Sequence, residues 1–214
     1  MAEWLDAILV LVILTNLWLL GSSRLRACIQ AAALQGILLG LIPLLATWPA
    51  ITARLAGVAA ASIVVKAIVL PAMLRRAARE ANVVYEVQPL VGFTTSLLLG
   101  IVLWGLATHL AGRLPVAALH VAPLLIPVAI FTILSGFLVI ASRNTAVMQV
   151  IGYLALENGI YIFGWAFAIE DPLLVEMGVL LDVFVAVFVM GIMINRLSRE
   201  FDTIETDELT SLKE

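Results

Sequence analysis

Between Arg143 and Glu170 the chain runs for 26 residues with a single charge, Glu157, which has thirteen uncharged residues before it and twelve after it. A run of that length and polarity has few places to fold. About 20 apolar residues in a helix cross the hydrocarbon core of a bilayer, so the spacing predicts a membrane helix with a carboxyl near its middle. The next run, 173–195, repeats the pattern around Asp182, with thirteen residues between it and Arg196. An ionisable group at mid-bilayer costs at least ~2.5–3.5 kcal/mol and by default marks an ion or proton path.

Composition extends this reading to the whole chain. Hydrophobic residues make up 63% and charged residues 13% of the 214, against about 45–50% and about 25% in soluble domains. The chain is read as an all-α, polytopic membrane protein with about seven transmembrane helices and no room for a soluble domain beside them. The expected spans are 5–20, 28–46, the stretch between Arg54 and Arg75, 88–110, 121–141, 144–169 and 173–195. They group into a four-helix membrane segment (1–120), a three-helix segment (121–198) and an acidic tail (199–214). The chain begins with Glu3 and Asp6 rather than with basic residues, so the first apolar run is expected to be retained as a span and not cut as a signal peptide.

Charge placement sets the expected orientation. With seven spans, one face receives Arg24, Arg26, Arg75, Arg76, Arg79, Arg143, Arg196 and Arg199, and the other only Arg54 and Arg113. The positive-inside rule then puts the N-terminus outside and the C-terminus in the cytoplasm. The tail after Arg199 carries six acids. It is too short and polar to fold alone, and either docks on a neighbouring subunit or stays solvated.

Lys66 is the twelfth of the twenty residues between Arg54 and Arg75, again near mid-depth. Pro71, five residues on, is expected to kink that helix or loosen its backbone ladder. Burial disfavours the charged form of Lys66, Glu157 and Asp182, while a neighbouring opposite charge favours it. Groups so balanced can store and release protons. Tyr153 and Tyr161 stand one turn either side of Glu157, with hydroxyls within reach, and Asn158 adds a polar neighbour. Glu176 falls near the outer end of its span, where a helix N-terminus favours an acid; it is either interfacial or a member of the relay. The competing reading is structural: Lys66 would lock helices by pairing with Asp182 or with an acid of another subunit. Ala32, Gly36 and Gly40 recur at four-residue spacing, which lets helices approach closely unless it is chance in an Ala/Gly-rich run.

Other chemistry is missing from the motifs. Cys28 is the single cysteine, and His109 and His120 lack a second ligand at metal spacing, so no metal site is expected. There is no phosphate-binding glycine loop and no nucleophile–base constellation. No cofactor, no catalytic residue and no nucleic-acid partner is expected.

Ser142-Arg143-Asn144, Gly152-Tyr153-Leu154-Ala155-Leu156-Glu157-Asn158-Gly159 and Leu174-Val175-Glu176-Met177-Gly178-Val179-Leu180-Leu181-Asp182 resemble component E of hydrogenase-4, as do the surroundings of Lys66 (Val64 to Pro71) and the tail segment Leu209 to Lys213. The last three spans also look like the small K subunit of respiratory complex I and its equivalent in multisubunit cation/proton antiporters. That family carries one midmembrane glutamate in each of its last two helices. Glu157 matches the first. Asp182 takes the place of the second, with Asp for Glu and a shorter segment between, and Glu176 competes for that role.

The resemblance implies a membrane subunit of a complex I-like [NiFe]-hydrogenase, formate hydrogenlyase or related oxidoreductase, in a bacterial or archaeal cytoplasmic membrane. Its implied partners are antiporter-like membrane subunits and a peripheral redox arm, with any redox centre held by other chains. Glu157, Asp182, Lys66 and Glu176 would contribute to translocation of H⁺ or Na⁺. A structural subunit without an ion path, and a cation/proton antiporter component, are the alternatives.

Overall fold

The computed structural model describes residues 2–49, 51–80, 89–114 and 122–167. Its elements, in order, are α1 (Ala2–Gly21), α2 (Leu25–Ala46), α3 (Ala53–Val64), a π-helical turn (Val65–Val69), α4 (Leu70–Glu80), α5 (Phe93–Ala111), α6 (Leu125–Ser142) and α7 (Ala146–Phe167). Among the described residues there is no β-strand. The stretch from α3 through α4 is one continuous rod, so six helices are long and apolar enough to cross a membrane. They coincide with the first six expected spans. The seventh, with Glu176 and Asp182, and the acidic tail lie outside the described residues.

Local chemistry explains where helices start and bend. Thr52 caps α3 by accepting the Leu55 N–H at 3.2 Å, which satisfies one of the orphan donors of the first turn. α2 runs through Pro43 and closes at Ala46, where the Thr47 N–H and hydroxyl both donate to Pro43 O. Pro71 lacks the N–H that would close an α-turn. The ladder adjusts just before it: Leu70 N–H bonds Val65 O, five residues back. The loosening expected from Pro71 is thus a π turn, and Lys66 sits inside it.

The helices pack around two apolar clusters stacked along the bundle. One holds Leu20 of α1, Leu25 and Ile29 of α2, Leu74 of α4 and Ile151 of α7. The other holds Leu9 and Val12 of α1, Leu39 of α2, Val128 of α6 and Ile162 of α7. On each of α1, α2, α6 and α7 the residues between the clusters include buried polar ones: Asn16, Gln35, Thr132, and Glu157 with Asn158. The bundle therefore has a polar layer sandwiched between two greasy ones. α5 leans on α6 through an edge-to-face contact of Trp104 and Phe131, with centroids 5.5 Å apart, and presents Leu98, Ile101 and Val102 outward.

Backbone approach sets the layer's dimensions. A Cβ on Gly136 would lie 2.5 Å from Leu156 N, so α6 touches the backbone of α7 one residue before Glu157. A Cβ on Gly36 would lie 2.5 Å from Lys66 Cβ, and one on Gly40 would overlap the Ile63 side chain. The row Ala32, Gly36, Gly40 is thus a contact face of α2, with Gly36 and Gly40 seating the rod that carries Lys66.

Candidate functional site: a buried acid–base pair in a polar layer

Lys66 projects from the π turn toward α7. Its Nζ donates to Glu157 Oε1 at 3.3 Å and to Asn158 Oδ1 at 3.0 Å. Lys66 is 6% exposed and Glu157 2%. The ammonium also lies 5.8 Å from the centre of the Tyr161 ring, within the ~6 Å range of a cation–π attraction. Two of the four sequence-expected site residues are therefore one site, joining positions 91 residues apart. Glu157 is an ion-pair partner of Lys66. Glu176 and Asp182 fall outside the described residues.

The layer continues beyond the pair. Asn158 Nδ2 donates to Gln35 Oε1 at 3.2 Å. Gln35 Nε2 donates to Asn16 Oδ1 at 2.8 Å and to Thr15 Oγ1 at 2.9 Å. Asn16 Nδ2 donates to Thr132 Oγ1 at 2.8 Å. The two hydroxyls end the network by donating to helix carbonyls, Thr132 to Val128 O and Thr15 to Val12 O. A buried polar group without a partner costs about 1–3 kcal/mol, so bonding each amide at both ends is what permits this layer inside an apolar bundle.

The two parts of the network differ in chemistry. The Lys66–Glu157 pair carries the ionisable groups of this network, and its other members are carboxamides and hydroxyls, which hold geometry.

Sequence reasoning did not single out Asn16, Gln35, Thr15 or Thr132. A signal existed: Asn16 and Gln35 are carboxamides in the middle of apolar spans, where polar side chains bond across helices. Of the two tyrosines expected beside Glu157, Tyr161 lies at the pair and Tyr153 is 39% exposed. His109 is exposed in the last turn of α5. Among the described residues no group of His, Cys, Asp and Glu is placed to hold a metal ion.

Arg143 departs from its expected place. Counted in sequence as a loop charge, it is fully buried. Its guanidinium donates to Leu20 O at 2.6 Å and Val91 O at 3.1 Å and lies 4.4 Å from the centre of the Phe93 ring. It joins the end of α1 to the segment leading into α5.

The fold and the pair together define a multi-pass membrane protein with an intramembrane acid–base couple. Comparison with known proteins specifies it further. The profile of NADH-ubiquinone/plastoquinone oxidoreductase chain 4L matches residues 124–214. Hydrogenase-4 component E of Escherichia coli (strain K12) is 35% identical over 86 residues, 40% of each chain. The uncharacterized protein Rv0085 of Mycobacterium tuberculosis is 34% identical over 207 residues, 94% of this chain and 92% of that one. No solved structure matches significantly. The chain belongs to the same family as Rv0085; over part of its length it is similar to hydrogenase-4 component E, and its C-terminal region is similar to chain 4L. The homology supports a membrane subunit of a complex I-like complex.

Proposed function

We propose that this chain carries part of an ion path in a complex I-like hydrogenase or oxidoreductase, and that Lys66 and Glu157 are its protonatable centre. The observation that carries the reading is the Lys66 ammonium 3.3 Å from Glu157 Oε1, with both side chains almost wholly buried. A buried pair of this kind has two neutral forms: ammonium beside carboxylate, and amine beside carboxylic acid. Neither leaves a net charge in the low dielectric, where an unpaired ion is strongly disfavoured. A charge appearing or leaving on a neighbouring subunit tips the balance between them and moves a proton.

Asp182 and Glu176, in a seventh span, extend the path in this reading. The N-terminus lies outside, the C-terminus in the cytoplasm, and residues 121–198 form the K-subunit-like part beside a four-helix segment at 1–120. The chain sits in a bacterial or archaeal cytoplasmic membrane beside antiporter-like subunits and a peripheral redox arm. Moving one charge against 100 mV costs ~2.3 kcal/mol, and electron transfer in that arm supplies it.

Replacing Glu157 by Gln tests the proposal. In vesicles bearing the assembled complex, proton pumping is expected to be lost while redox turnover continues. Unchanged pumping with full assembly removes Glu157 from the path. A second reading draws support from the amide network, which ties α1, α2, α6 and α7 together: the pair would serve to lock helices. In that case Glu157→Gln weakens assembly of the complex and spares pumping in whatever assembles.

A further inference from the structure

We propose that Gln35 on α2 is the positioning residue of the buried pair, fixing Asn158 so that its carbonyl oxygen faces the Lys66 ammonium. The inference rests on the ion-path reading of that pair. The two ends of an asparagine amide have nearly the same shape and opposite chemistry. Turned by half a revolution, Asn158 would set N–H donors against the donors of Lys66. Nothing in Asn158 itself forbids this. Gln35 does, because its Oε1 only accepts and takes the Asn158 Nδ2 donor at 3.2 Å.

Gln35 is held in turn. Its Nε2 donates to two acceptors, Thr15 Oγ1 and Asn16 Oδ1. The amide of Asn16 is committed to Thr132, and both threonine hydroxyls spend their hydrogens on helix carbonyls that can only accept. Acceptor-only groups at one end and a donor-only ammonium at the other demand the same direction of donation along the whole series. Gln35 is the member that passes this direction from α1 to α7, and it is fully buried. Next to it Gly36 brings α2 against the Lys66 backbone, so one turn of α2 places both partners. Residues 15, 16 and 35 lie outside the region matched by chain 4L, 124–214. The N-terminal helices thereby become part of the charge site.

The chain has two lysines, Lys66 and Lys213. The full chain in lipid nanodiscs, labelled with ζ-15N lysine, therefore gives two ammonium resonances, assigned with Lys213→Arg. Gln35→Met is expected to displace the Lys66 resonance and leave that of Lys213 in place. Asn158→Leu should displace it too, and the double variant should add no further displacement. A role of Gln35 in packing alone would lower the melting temperature with the Lys66 resonance unmoved, and that result overturns the proposal. If Gln35→Met does not fold, Thr132→Val is read in its place: it removes the far anchor while keeping the side-chain shape. A displaced Lys66 resonance supports the proposal and an unmoved one overturns it. The ion-path reading fails separately, through unchanged pumping in Glu157→Gln, which leaves the resonance result standing.

Discussion

Lys66 and Arg143 are both buried cations, one in the π turn between the two apolar clusters, the other where α6 gives way to α7. Lys66 meets a carboxylate and an amide side chain. Arg143 meets two main-chain carbonyls and an aromatic face. The residue types suit these tasks. A guanidinium is a rigid fork that stays charged, whereas a lysine amine exchanges its proton more readily when buried. Carbonyls offer a fixed partner; a carboxylate offers one that titrates. The same bundle therefore holds one cation met by fixed main-chain carbonyls and one met by an ionisable side chain.

Three tests bear on that contrast, in falling order of expected effect. Lys66→Met leaves the Glu157 carboxylate buried without its ammonium and should destabilise the chain by about 3–5 kcal/mol. Adding Glu157→Gln in the same chain should restore most of that, read by thermal unfolding in detergent. If the double variant is as unstable as the single one, the pair does not act as a unit. Arg143→Lys keeps a charge but reaches only one of the two carbonyls, and should cost about 1.5–3 kcal/mol, the scale of one hydrogen bond to a charged group. Pumping by the surviving complex should be unchanged, and a pumping defect would erase the distinction between the two cations. Asn16→Leu, at a residue bonded to neither charge, should cost only about 1 kcal/mol, and a much larger loss in the same assay would show that the polar layer is stiffer than its individual bonds.

The mid-span position of Lys66 and Glu157 was legible by counting from flanking charges, and six helices fell where apolar runs predicted them. Their pairing was not legible. It joins α7 to a turn 91 residues earlier, and hydrophobic periodicity carries no information about which helices meet. Pro71 announced a disturbance in its helix, and the row of Gly36 and Gly40 announced a close approach. Only the folded chain shows that both act on the one segment that bears Lys66. Arg143 misled because a positive residue between two spans looks like a solvated loop charge. Here the carbonyl at the end of α1 and that of Val91 both take donors from its guanidinium.

The hydrogen bonds from Lys66 through Asn158, Gln35, Asn16 and Thr132 to Val128 O all donate in one direction. Small dipoles laid head to tail add, as peptide units do along a helix. Their negative pole rests against the lysine. The bundle thus behaves like an electret: it holds a standing field made only of neutral groups, frozen in the orientation of three carboxamides and sealed from the ions that screen charges in water.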